Sequence, residues 1–296
     1  MTEGVTYMDT SFDIIIIGTG PAGVSAALYT QRAGMKTLLV GSKSLSLEKA
    51  EKIENYYGVA GGVSGTQLFE TGVSQARAVG AQILEGQVVG ISWDGTYTVK
   101  TTQEQLTANA VIIATGTKRD TPRIEGLKEM EGLGVSYCAV CDGFFYKGKK
   151  VAVLGGGDYA IEEATHLKAI AQSVVILTDG VLPKERQQDF EYIDKKIKKI
   201  RGTQKVEGVV FGDDTELEIS GLFVAVGTAG ATDLAKKLGV ETNGSYIAVD
   251  ENMQTNLPGL YAAGDTTGGL LQVAKAVYQG AMAGTQSVKF VRGIKK

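Results

Sequence analysis

Apolar residues along this chain gather into short unbroken runs, several of them opening onto glycine. The segments 12–17 (FDIIII), 36–40, 111–114, 149–154 and 173–177 hold such runs, at 14–17, 38–40, 111–114, 151–154 and 174–177. Continuous β-branched runs of this length predict parallel strands buried on both faces, not half-exposed alternating ones. Two of them lead into glycine turns and then into helical character: 12–17 into Gly18–Gly23, and 149–154 into Gly155-Gly156-Gly157. Later apolar segments at 204–210 and 217–226 predict further strands. The lysine-rich stretch 192–200 carries Ile193, Ile197 and Ile200 at helical spacing and predicts a helix. A short strand ahead of Gly264-Asp265 and a helix opening at Gln272-Val273-Ala274 complete the pattern. The expectation is an α/β protein with two Rossmann-like, three-layer βαβ domains.

Length and charge narrow the function. The chain has 296 residues, room for two domains, and a net charge of −3, which gives no electrostatic case for nucleic acid. Its apolar runs are far too short to span a bilayer, so no membrane role is expected. The first residues, MTEGVTYMDTS, lack the basic start and apolar core of a secretory signal. The only cysteines are Cys138 and Cys141, two residues apart and followed by Asp142. Two thiols at this spacing can close and reopen by thiolate exchange, a two-electron redox couple. Zinc would need four ligands, and beyond the pair the chain offers only His166, so no metal site is expected. A redox couple with no other cysteine fits a reducing cytoplasm.

The first glycine turn, Gly18-Thr19-Gly20-Pro21-Ala22-Gly23, is G-x-G-x-x-G in its strand–turn–helix setting, where backbone amides at a helix N-terminus can face a pyrophosphate. The second strand ends in Gly41, where a ribose-binding acid is expected. Ala114-Thr115-Gly116 ends another strand. Gly264-Asp265 places a carboxylate where ribityl or ribose hydroxyls can meet it, and the amides at Gln272, Val273 and Ala274 could face an electron-rich ring.

With these motifs in order, the chain resembles the low-molecular-weight, FAD-containing thioredoxin reductases. The resemblance rests on GTGPAG at 18–23, KIENYYG at 52–58 with Asn55, IIATGT at 112–117, CAVCDG at 138–143, GGGDYAIEEA at 155–164, LPGLYAAGD at 257–265 and QVA at 272–274. It implies an FAD-binding domain made of 1–117 and 231–296, split by a redox-disulfide domain, 118–230, with junctions near 117–119 and 227–231. It further implies that Cys141 receives electrons from the flavin and that Cys138 attacks the target disulfide. Asp142 would serve the leaving thiolate as acid/base. The expected partners are thioredoxin or a thioredoxin-like protein and a second copy of the chain in a homodimer.

The second domain departs from the family at its nucleotide site. Tyr159 stands in the glycine turn where a small residue is usual. Thr178-Asp179-Gly180 replaces the basic cluster that would hold a 2′-phosphate, and the strand count looks one short. Asp179 lies where an NAD-type ribose acid belongs, so NADH is one reading of the donor. The favoured reading is that the domain is a degenerate pyridine-nucleotide fold and that reduced ferredoxin is the donor, as in the ferredoxin-dependent flavin thioredoxin reductases. A non-catalytic FAD redox sensor is a further alternative. Residues 147–205 carry 12 Lys/Arg against 8 Asp/Glu, densest at Lys195, Lys196, Lys198, Lys199 and Arg201. That is either a basic face for an acidic ferredoxin or a solvated helix surface.

Overall fold

The structure, a computed structural model, describes residues 10–41, 47, 50–116, 122–137, 139–181, 183, 186–227 and 230–295, with Val140 and Cys141 as backbone alone. The chain divides into two compact units, Met1–Lys118 with Gly230–Lys296, and Arg119–Ala229. Parts of both junctions, 117–121 and 228–229, lie outside the described residues.

The first unit is built on β1 (Ser11–Ile17), α1 (Pro21–Arg32), β2 (Thr37–Gly41), α2 (Gly65–Ala78), β3 (Gln82–Glu85), β4 (Val88–Trp93), β5 (Tyr97–Thr101) and β6 (Gln105–Ile113). The strands form one sheet in the order β3-β2-β1-β6-β5-β4, and the strand Leu260–Ala262 also pairs with β6. β3, β2, β1, β6 and Leu260–Ala262 are parallel, while β4 and β5 join as an antiparallel extension. The isoleucines of β1 are buried on both faces, which is why its sequence shows no alternation. The C-terminal helix, Val273–Ile294, lies against α1. Its glycines permit this approach: a Cβ at Gly280 would sit 2.1 Å from the Ala22 carbonyl oxygen, and one at Gly284 would sit 2.7 Å from that of Ala26. Ser25 Oγ donates to the Val277 carbonyl at 2.7 Å across the same contact.

The second unit holds β7 (Val135–Ser136), α3 (Ala139–Asp142), β8 (Lys150–Leu154), α4 (Asp158–Lys168), β9 (Ser173–Leu177), β10 (Glu191–Ile193), β11 (Ile197–Arg201), β12 (Gly208–Phe211), β13 (Glu216–Glu218) and β14 (Gly221–Val224). A five-stranded parallel sheet runs β10-β9-β8-β14-β7, and β11-β12-β13 make a separate antiparallel sheet. Both units thus carry the Rossmann-like parallel sheet expected from the strand–glycine–helix pattern.

The helix expected over 192–200 is instead the two strands β10 and β11. The helical spacing misled because a register shift between Ile197 and Lys199 bulges β11 against β12. A bulge inserts one residue, so Ile197 and Ile200 face the core together at a separation that regular strand alternation forbids. β10 and β11 are thus strands that the sequence reading did not count in this unit.

Candidate functional site

In the first unit, three of the predicted cofactor segments lie at the carboxyl ends of neighbouring parallel strands. β1, β6 and Leu260–Ala262 lie side by side, so the turns at Gly18, Ala114 and Gly264 emerge together. The Gly18 amide donates to the Val40 carbonyl at 2.7 Å, and the Ala114 amide to Ile17 at 2.7 Å. Gly18 has φ +117°, and a Cβ there would stand 2.3 Å from the Ala114 carbonyl oxygen. At Gly23 a Cβ would stand 1.8 Å from the Gly18 carbonyl oxygen. Pro21 opens α1 behind the N-cap Gly20, whose helix has no acidic residue in its first turn. Its N-terminal positive potential is therefore left for an anionic ligand.

The later segments close the same cradle. Gly264 has φ +84°, and its amide donates to Gln279 Oε1 at 3.0 Å. Lys275 Nζ donates to the Gly264 carbonyl at 2.8 Å, tying the helix start to the turn. Burial pushes the Asp265 carboxyl above its usual range, partly offset by the Lys275 charge; burial likewise lowers the Lys275 ammonium. Asn55 Nδ2 donates to Gln272 Oε1 at 2.9 Å, joining two predicted residues 217 positions apart. Val273 and Ala274 begin the helix beyond Gln272. Thr115 and Gly116 follow Ala114 at the open end of β6.

Sequence reasoning missed Lys275, Gln279 and Glu85. Lys275 directly follows the QVA motif, the one visible signal for it. Glu85 ends β3 beside Gly41 in the sheet register and, with Thr19 and Arg77, lines a cleft at the ends of β1–β3. The acid that Gly41 lacks is therefore available from the neighbouring strand, a substitution no linear motif could reveal.

In the second unit, Cys138 lies outside the described residues, and Cys141 contributes backbone to the short helix α3. Asp142 ends α3 and accepts a hydrogen bond from Ser136 Oγ at 2.6 Å. Burial first, and the Asp142 charge second, push the Tyr146 hydroxyl above its usual range. The Ala139 amide donates to Glu163 Oε2 at 2.6 Å, and Tyr159 Oη donates to the Tyr137 carbonyl at 3.3 Å.

The second glycine turn keeps its backbone geometry, with the Gly155 amide donating to Leu177 at 2.9 Å. Its surroundings differ from those of the first turn. Tyr159 is buried, and a Cβ at Gly156 would lie 3.6 Å from Pro183 Cβ and from the Val181 carbonyl oxygen. Asp179 is engaged: its carboxylate accepts from the Ile197 amide at 2.7 Å and from Lys196 at 2.5 Å. The basic cluster is paired as well. Lys195 meets Asp213 at 2.7 Å, Lys198 meets Asp214 at 2.6 Å, and Arg201 meets Glu216 at 3.2 Å. Lys195, Lys198 and Arg201 are thus paired with acids beyond residue 205, which offsets most of the positive excess read from the sequence.

Comparison with known proteins places these features. Residues 12–280 match the pyridine nucleotide-disulphide oxidoreductase family. A thioredoxin reductase of Listeria monocytogenes is 36% identical, over 96% of this chain and 95% of that protein. The atypical thioredoxin reductase TRi of Desulfovibrio vulgaris Hildenborough superposes with a TM-score of 0.88 at 38% identity, covering 95% of this chain and 98% of that one. A ferredoxin-flavin thioredoxin reductase of Clostridium acetobutylicum superposes with a TM-score of 0.67 at 31% identity, covering 97% and 99%. FAD is the cofactor, and the cradle fits it: the Gly18 and Gly23 positions leave no space for a side chain, and the N-terminus of α1 carries no acid to oppose a pyrophosphate.

Proposed function

Because the chain belongs to the thioredoxin reductases of the pyridine nucleotide-disulphide oxidoreductase family, we propose that it reduces thioredoxin through FAD and the Cys138/Cys141 pair, with reduced ferredoxin as electron donor. When bound, FAD supplies a carrier that can take electrons singly and deliver two to a disulfide. Gly18, Gly20, Pro21, Ala22 and Gly23 would hold its pyrophosphate at the start of α1, with the amides other than that of Pro21 as donors. Asp265, Asn55 and the Ala114-Thr115-Gly116 turn bind its polar groups, and Gln272, Val273 and Ala274 present the start of the last helix to its ring. Glu85, beside Gly41 in the cleft at the ends of β1–β3, would accept from the adenosine ribose.

In the exchange step the Cys138 thiolate attacks one sulfur of the thioredoxin disulfide, forming a mixed disulfide and releasing the other sulfur. Asp142 protonates that leaving thiolate. Cys141 then attacks Cys138, freeing the second thioredoxin thiol and closing the Cys138–Cys141 disulfide. Ser136 keeps the Asp142 carboxyl oriented toward this work. The residues 1–117 and 231–296 act as the FAD-binding domain, and 118–230 as the redox-disulfide domain. Two copies form a homodimer in a reducing cytoplasm, where such a thiol pair can cycle.

One observation carries the donor assignment. Asp179, the acid that could have received an NADH ribose, is taken up by the Ile197 amide and Lys196. Both of its oxygens are already hydrogen-bonded and its charge is partly offset by Lys196, so it is a weaker acceptor for ribose hydroxyls than a free acid at that position. Buried Tyr159 in the glycine turn acts in the same direction. The energetics permit ferredoxin: its potential near −400 mV lies about 130 mV below that of a thioredoxin, roughly 6 kcal/mol downhill for two electrons. Anaerobic stopped-flow mixing decides between donors. Reduced ferredoxin should bleach the flavin absorbance, and NADH and NADPH should not. Rapid bleaching by either nucleotide would overturn the assignment.

A further inference from the structure

We propose that Tyr159 and Glu163 are positioning residues for the interchange thiol: from one face of α4 they hold the backbone on either side of Cys138. The inference rests on reading Cys138 as that thiol. Residues four apart on a helix lie one above the other on the same face. Tyr159 Oη donates to the carbonyl of Tyr137, immediately before Cys138, and Glu163 Oε2 accepts from the amide of Ala139, immediately after it. Both side chains are buried, at 2% and 1% exposure. A carboxylate is costly to bury unless it is hydrogen-bonded, and its bond to a backbone amide is of the stronger, charge-assisted kind. Packing alone would be met by Leu or Phe at these positions, so the polar groups answer to the backbone they hold.

The consequence is mechanistic. Thiol–disulfide exchange needs a directed approach of one sulfur on another, so its rate depends on how firmly the attacking residue is placed. The tyrosine that departs from the nucleotide-binding pattern is therefore the same residue that fixes the redox segment. The glycine-turn helix, which in a dinucleotide fold faces phosphate, here supports a thiol.

The test uses the FAD-loaded enzyme turning over thioredoxin with reduced methyl viologen as electron source and, separately, dithiothreitol to equilibrate the internal disulfide. Glu163→Leu should lower kcat about tenfold or more with KM for thioredoxin little changed, and shift the dithiothreitol equilibrium about tenfold, some 30 mV. Glu163→Gln, which keeps an acceptor for the Ala139 amide, should recover most of the kcat. Tyr159→Phe should lower kcat severalfold by the same route. Wild-type kcat and equilibrium in Glu163→Leu, or a Glu163→Gln enzyme as impaired as Glu163→Leu, would overturn the proposal. Should leucine at 163 prevent folding, Tyr159→Phe decides alone, and unchanged kcat and equilibrium there overturn it. A wild-type enzyme that cycles its disulfide with dithiothreitol but reduces no thioredoxin would refute the function above while the equilibrium shift still tests the positioning role.

Discussion

Ser136 and Asp142 are six residues apart, yet their hydrogen bond depends on β7 and α3 folding back on each other. Ser136→Ala leaves Asp142 present but unsupported, so thioredoxin turnover should fall severalfold. Asp142→Asn removes the proposed proton carrier and should cost about a hundredfold; steady-state kcat for both variants checks the order. Asp13 offers a pH prediction. Burial opposes its ionisation, but the bond from Lys295, the Lys36 amide and the nearby positive charges hold its carboxyl below the usual range. A carboxyl lowered in the folded state stabilises above its unfolded pKa, near 3.9, and that contribution is lost as pH falls through the folded value. The difference in thermal midpoint between wild type and Asp13→Asn should therefore vanish at strongly acid pH and be full at neutral pH. It should correspond to no more than about 1 kcal/mol, given the solvent access of the ion pair. At this scale the sequence exposed the residues that occur in contiguous motifs, such as Gly18–Gly23 and Cys138–Asp142. It hid Glu85, Glu163 and Lys275, because each acts on backbone or a cleft that only the folded chain brings near.

The antiparallel sheet β11-β12-β13 shows what periodicity can and cannot say about an element. Ile193, Ile197 and Ile200 satisfy a helix template, and only the bulge explains how strands satisfy it too. The parallel strands posed no such ambiguity: runs buried on both faces and ended by glycine have few other homes. The same sheet alters an electrostatic expectation. Lys195 and Lys198 sit opposite Asp213 and Asp214, acids on the turn that follows β12. Paired charges cast little field beyond about a Debye length, roughly 10 Å in 0.1 M salt. Removing both pairs together, Lys195→Ala and Lys198→Ala with Asp213→Asn and Asp214→Asn, keeps the net charge and should therefore leave the rate of flavin reduction by ferredoxin within about twofold of wild type at low ionic strength. A strong drop in that rate would restore the basic face as a docking surface.

At the scale of the molecule the two units differ in how the chain makes them. Arg119–Ala229 is continuous and has its own buried core, including Leu127, Val153, Leu177, Val209 and Leu222. Expressed alone, it should fold cooperatively, read by a single thermal transition in circular dichroism. Among the described residues no helix is long and apolar enough to cross a membrane. The two-unit organisation was legible in advance because each parallel sheet announces itself with its own strand–glycine–helix start. The junctions, placed near 117–119 and 227–231 by the resemblance, carry no periodic pattern of their own.

The other unit is closed only by its last helix. Val273–Ile294 seals α1 through Gly280 and Gly284, against residues made some 250 positions earlier. During synthesis, then, β1 and α1 leave the ribosome long before the surface that completes their packing exists. The inserted unit can mature in that interval, whereas the flavin cradle remains open until the helix Val273–Ile294 has emerged. Loading of FAD accordingly awaits that helix: a nascent chain stalled before Val273 should carry a folded thiol unit and no yellow colour.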